Sequence, residues 1–435
     1  VGVTAILLFG GYSNTVKYGL QTGFVRSGGH LQIQHKDYFL YGSGNPAAYG
    51  ITNYDRVIDI IKRDPVLAPM ITVVTPTLKL GGIAGNFSAS VSRTVSASGA
   101  IINDQNAMRV WNDYGLAGNS AKPLALTNTS ADSAVVGMGV ARVLQLCTLT
   151  YAPDCRRPKA VIAHGTPLPA DVAALTSQDI TTRTDDGPRI QVLAASARGA
   201  PNVTELKVIK AESQGVKDLD DIYLAMHLEQ AQRLIYGADA PQVTAIVIQL
   251  RHTSQIAAAK IRLQGLLATQ LRDQPLEVQT FTTLNPSYGQ TVGLFAMIFG
   301  FIAVLIGAIV LFTIGNTMSM AVLERIVEIG TLRAIGVRRR GIRRLFVCEG
   351  LLLGLLGSLV GVLISLALAA LINHSGITWT PPGRVEPIPL TIGIWGETRL
   401  IVGTQLSLTF IAVLSAWLPA GRAARLQVVE ALRHV

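Results

Sequence analysis

The residues of this 435-residue chain that could do chemistry are few, and their spacing narrows the options quickly. A nucleotide cradle of the form GxxxxGK(S/T), with backbone N–H groups and a lysine closing on phosphates, is absent. GMGVAR (Gly137–Arg142) has two of the three glycines of a dinucleotide turn. It reads better as part of a helix over Ser133–Leu146, with no good strand ahead of it. The seven histidines include no HExxH pair. His30 and His35 lie five residues apart, on opposite faces of an expected strand, which suits no shared metal. GxSxG is absent too. No catalytic residue, cofactor site or metal site is expected in this chain.

What the sequence does concentrate is charge. Seven arginines stand against two glutamates between Ser319 and Cys348, around the stretch ERIVEIGTLRAIGVRRRGIRRLF. The formal net charge is +10, and most of the excess lies here and in Ala420–Val435, beside apolar runs. That distribution fits the positive-inside rule and not a groove that tracks nucleic-acid phosphates. Over Ala321–Ala334, helical spacing sets Val322, Ile326, Ile329 and Leu332 near one face. Glu324, Arg325 and Glu328 fall elsewhere on the wheel. Gly336–Val337 then breaks the helix before a basic turn at the headgroups. A short helix with an apolar edge and opposed charges suits docking into a protein groove.

The elements that must hold this segment are membrane spans. The chain is 49% hydrophobic and only 15% charged, with a mean hydropathy of +0.40, where soluble chains carry about 25% charge. Uncharged runs over Thr291–Met318, Gly350–Asn373 and Leu400–Ala420 are long enough to cross a bilayer. Val1–Gly11 reads as the end of a first span whose beginning would precede Val1. The expected fold is therefore an α+β membrane protein. Four transmembrane helices carry a large mixed α/β domain between the first and second. The expected boundaries are a first span over 1–14, an exported domain over 15–288 and a second span and stalk over 289–318. A cytoplasmic loop over 319–348, a third span over 349–373, a short exported loop over 374–398, a fourth span over 399–419 and a tail over 420–435 follow.

Glycines mark where the spans should pack. Gly293, Gly300 and Gly307 repeat every seven residues, and Gly350, Gly354, Gly357 and Gly361 form GxxxG pairs that let backbones approach. In the exported domain, alternation predicts strands over His30–His35, Ile71–Leu80, Glu205–Glu212 and Val243–Leu250. Helical spacing predicts Asn53–Asp64 and Gln255–Leu271, and the Gly- and Ser-rich Ala84–Ala100 reads as loop or edge hairpin. Cys147 and Cys155 are expected to pair in that oxidising compartment. Cys348, on the cytoplasmic side, reads as a small apolar residue.

ERIVEIGTLRAIG (Glu324–Gly336) resembles the cytoplasmic loop of the MacB, LolC/LolE and FtsX superfamily of ABC transporter permeases. EGLLLGLLGSLVG (Glu349–Gly361) and the closing PAGRAARLQVVEALRHV (Pro419–Val435) resemble the same superfamily's third span and C-terminal signature, closest to LolE-type permeases. The resemblance implies a mechanotransmission permease whose coupling helix sits in a groove of a cytoplasmic ATPase dimer, through Glu324, Arg325, Glu328, Ile329, Gly330, Arg333 and Gly336. It implies a second permease chain, a MacB-like periplasmic core and residence in the bacterial inner membrane. The cargo would be a lipoprotein or lipid-like molecule, handed to a lipoprotein carrier. The alternatives are a MacB-like efflux permease with a periplasmic adaptor, and an FtsX-like signalling permease that controls a periplasmic partner.

Overall fold

A computed structural model describes residues 1–42, 44–116, 122–150, 187–380 and 384–425. The chain divides into two compact units: Gln21–Pro286 with Thr380–Pro387, and Val1–Leu20 with Ser287–Trp379 and Ile388–Val435.

The first of these is built on one mixed sheet. Its strands are β1 (Leu31–His35), β2 (Ile71–Asn86), β3 (Val91–Ala100), β4 (Ser133–Gly137), β5 (Arg189–Ala195), β6 (Pro201–Glu212), β7 (Tyr223–His227), β8 (Ala245–Leu250) and β9 (Leu276–Thr280). They lie in the order β3-β7-β4-β6-β5-β2-β8-β1-β9, and β3 also pairs with β2. The strands from β3 to β2 therefore close into a ring, and β8, β1 and β9 extend it. The long β2 makes this possible. Its first half pairs with β8, Val74 opposite Ile248. Its second half pairs with β3 on one edge and β5 on the other, so that Ile83 faces both Thr94 and Leu193.

Leu78, Leu80, Ala84, Val95, Ala97, Val192 and Leu206 belong to one core cluster with the helices Tyr54–Arg63, Leu228–Tyr236 and Ile256–Thr269. The last of these buries Ala259, Leu263 and Leu266, the i, i+4, i+7 stripe that an amphipathic helix turns to a core. Burying each such leucine contributes about 2 kcal/mol.

One expectation for this unit is corrected. Ser133–Leu146 is not one helix: Ser133–Gly137 is β4, flanked by β6 and β7, and Met138–Val143 is a short helix. A strand buried on both faces reads as an unbroken apolar run, the pattern that helix and strand share. A strand thus does precede GMGVAR. Its glycines answer to packing, because a Cβ on Gly137 would lie 2.2 Å from the Asp220 carbonyl oxygen and one on Gly139 2.0 Å from Asp221 Oδ1. Acidic chain fills the place that a phosphate would need. Ala84–Ala100, read as loop or edge hairpin, forms the turn and second arm of the β2–β3 hairpin, with Phe87–Ala89 at the turn and Ser90 in the left-handed region.

Among the described residues of the second unit, three helices are long and apolar enough to cross a membrane: Pro286–Glu324, Arg339–His374 and Thr398–Arg425. Four spans were expected from the sequence. Helix Gly2–Gly28 is continuous well past residue 14 but does not reach the same measure of length and apolarity. Its Val3, Ile6 and Leu7 nevertheless join a buried cluster with Val362, Ala369 and Leu408 from the long helices. Nor is RRRGIRR a turn. Arg338 caps, and Arg339 begins, the helix that runs on to His374, since arginine is a good helix former and nothing breaks the run.

Candidate functional site

The charged segment folds as a helix of its own because both its ends are broken by backbone that cannot continue. The stalk helix Pro286–Glu324 ends, Arg325 leaves helical geometry (φ −105, ψ 19), and a new helix spans Ile326–Ala334. At its far end Gly336 adopts φ +103. Gly336 N–H donates to the Arg333 carbonyl (3.2 Å) and Val337 N–H to that of Leu332 (3.0 Å). This is the double bond of a Schellman cap, in which glycine at the left-handed position avoids the Cβ clash.

Two anchors fix the short helix to its neighbours. Ile329, 2% exposed, joins Val322, Ile342, Phe346, Ala420, Ala423 and Ala424 in a small apolar cluster, with Gly330 buried beside it. Arg333 Nη1 donates to the Ala424 carbonyl at 2.8 Å. Arg325 Nη1 lies 3.5 Å from Glu349 Oε1, between an exposed and a half-buried side chain, and such a pair adds under about 1 kcal/mol. Of the seven residues expected to meet an ATPase, Ile329, Gly330 and Arg333 thus face inward and Gly336 shapes the turn. Glu324, Arg325 and Glu328 are exposed.

The outward face carries residues that sequence reasoning passed over. Val327, Thr331 and Ile335 form an i, i+4, i+8 row beside Glu328 and Leu332, and Ile335 is 78% exposed. The signal was available, because Val327 and Thr331 lie about 200° around a helix from Ile329. The face is apolar with one acidic row, and no ion-pair partner meets Glu324 or Glu328 among the described residues.

The glycines divide into two sets. A Cβ on Gly350 would meet Ala416 Cβ at 2.6 Å, one on Gly354 Ala412 Cβ at 2.9 Å, and one on Gly361 Val3 Cβ at 2.7 Å. Gly307 approaches Ile411 at 3.2 Å, whereas Gly293, Gly300 and Gly357 look onto open space. Between the first helix and the stalk helix lies an open groove of about 200 Å³. Phe295, Phe299, Leu20 and Leu400 give it an apolar wall, and Ser13, Asn14 and Lys17 a polar one.

In the sheet unit, His30 is buried in a structural role: its Nδ1 accepts from Leu250 N–H at 3.0 Å, and its ring stands edge-on to Trp111. Burial holds its pKa down, to about 4, against a smaller upward pull from Asp113. His35 packs on Tyr49 instead. Cys147 is disulfide-bonded, and Cys155, its expected partner, lies outside the described residues. Cys348 is a free, exposed thiol.

Residues 297–428, which take in the stalk helix from Met297 onward, the short helix and both later long helices, match the FtsX-like permease C-terminal family. Over this segment the chain is similar to FtsX-like permeases of ABC transporters. It is 26% identical over 244 residues to the lipoprotein-releasing system transmembrane protein LolC of Neisseria meningitidis, 54% of this chain and 56% of that one. The ABC transporter permease YtrF of Bacillus subtilis is 36% identical over 138 residues, 31% of each chain. The macrolide export ATP-binding/permease protein MacB of Chlorobium luteolum is 27% identical over 225 residues, 50% of this chain and 31% of that one. The chain spans about half or less of the length of these curated relatives.

Proposed function

We propose that this chain is the transmembrane subunit of an ABC transporter of the bacterial inner membrane. It passes the ATP-driven motion of a partner ATPase dimer to an exported sheet domain. The observation that carries this reading is the short helix: it is stapled from behind by Ile329 and Arg333, and it offers Glu324, Val327, Glu328, Leu332 and Ile335 outward. A helix held that firmly at the meeting of two long spans moves them when it is pushed. ATP and magnesium belong to the partner. The first helix serves as the fourth span, because Gly2 and Gly10 approach Ile306, Val310 and Phe299 of the stalk helix closely.

The cargo is a lipoprotein or lipid-like molecule, and two observations favour it over a soluble peptide. The groove beside Lys17 has one apolar and one cationic wall, the chemistry of an acylated amphiphile. LolC is among the chain's relatives. Similarity to MacB supports a second reading, export with a periplasmic adaptor.

A photo-crosslinking residue placed singly at Val327, Ile335 or Ile329 in the full chain tests the docking face in native membranes. Crosslinks to an ATPase from positions 327 and 335, and none from the inward 329, are expected. Crosslinks from 329 alone, or to no nucleotide-binding protein, would remove the coupling assignment.

A further inference from the structure

The arginines at the start of helix Arg339–His374 are not used by the coupling face. Helices Arg339–His374 and Thr398–Arg425 run antiparallel, with Gly350 against Ala416 and Gly354 against Ala412. This brings Arg339–Arg344 to the end that carries Arg422 and Arg425. Arg339, Arg340 and Arg344 are exposed, and among the described residues no carboxylate lies within ion-pair distance of them or of Arg343. Arg343 is placed differently. Its guanidinium carbon sits 3.8 Å from the centroid of the Trp417 ring, and its Nε–H is shielded from water with no acceptor among the described residues. A guanidinium resting on an aromatic face is held by cation–π attraction and keeps in-plane donors for an oxyanion. A shielded donor without an acceptor marks an interaction that is incomplete.

The apolar half of a ligand is also provided for. Phe410, Leu414 and Trp417 fall at i, i+4, i+7 on one helix face and are 67%, 50% and 51% exposed. Gly421, one turn beyond Trp417, opens onto free space. An arginine cluster thus stands at the head of an apolar stripe, with a tryptophan where the two meet. This order matches a membrane surface, where tryptophan marks the headgroup level and basic side chains face anionic lipid.

We propose that Arg343 and Trp417 form a site for one anionic glycerophospholipid. The phosphodiester takes the Arg343 guanidinium with support from Arg339 and Arg340, and an acyl chain lies along Leu414 and Phe410. The occupant is a lipid and not free phosphate, because the stripe needs an acyl chain to cover it. The site rests on the membrane-spanning character of the two helices and not on any cargo or ATPase partner.

Native mass spectrometry of the full chain, released from nanodiscs of equal phosphatidylglycerol and phosphatidylcholine, tests it. The wild-type chain should retain phosphatidylglycerol selectively. Arg343→Gln and Trp417→Leu should each lower that preference about tenfold, roughly the loss of one charge-assisted contact. Trp417→Phe, which keeps an aromatic face, should hold most of it, a check that the loss is not misfolding. Arg399→Gln, the same charge change at the opposite end of helix Thr398–Arg425, should change nothing. No preference in the wild type, or an equal fall in Arg399→Gln, would overturn the site in favour of diffuse attraction. Loss of the bound lipid when a cytoplasmic protein partner is added would also overturn it, by giving the arginines to an acidic protein surface.

Discussion

His30 shows how a residue that looks like chemistry can be architecture. Its ring nitrogen accepts a backbone N–H from Leu250, so the folded domain needs it neutral. The folded pKa of about 4 lies below the ordinary 6.5. Between those values the unfolded chain binds more protons than the folded one, and stability rises with pH. The contribution is complete above pH 6.5 and falls away as pH drops toward 4, by up to about 3 kcal/mol. Denaturation of the full chain in detergent, followed by the fluorescence of the adjacent Trp111, should show that slope. His30→Gln should flatten it, and an unchanged slope would assign the pH dependence to another group. The sequence marked His30 for its type but could not reveal that its acceptor role is met by a strand more than two hundred residues away. The short helix Ile326–Ala334 shows a limit of another kind. The apolar edge was visible, yet Ile329 is committed to its own chain's Phe346 and Ala420. The outward row had to be sought on the opposite side of the wheel.

At the scale of elements, helix packing separates the two glycine sets. Gly350 and Gly354 lie against Ala416 and Ala412 with no room for a side chain, which is how small residues let membrane helices meet. Gly300 faces open space on a stalk helix that is largely exposed along its apolar length. Gly350→Leu should therefore disrupt the single chain, seen as loss of folded monomer in detergent. Gly300→Leu should leave the monomer intact and weaken only its pairing with a second copy or partner permease. Crosslinking yield and size-exclusion profiles of the two variants distinguish these effects, and a monomer equally damaged by both would refute the division. The apolar runs and the edge of the β2–β3 hairpin were legible because length and alternation are local signals. The ring closure was not, since β2 must pair with β3, β5 and β8 at once. β4 misled because a strand buried on both faces loses its period.

For the molecule as a whole, the parts with a family signature lie in residues 297–428, and they surround the short helix. The role proposed for this helix is to transmit motion between an ATPase and the long helices behind it. Glu328 is the sharpest handle on that role. It is exposed, stands on the outward side and has no ion-pair partner among the described residues, so reversing its charge should shift folding stability by no more than about 0.5 kcal/mol. The most direct measurement is ATP hydrolysis by the partner ATPase reconstituted in vesicles with the wild-type chain or with Glu328→Lys. The wild-type chain should raise the ATPase rate, and Glu328→Lys should fold and insert normally yet bring the rate back at least about tenfold toward that of the ATPase alone. Full stimulation by a well-folded Glu328→Lys chain would contradict the account and move the coupling contact away from this helix.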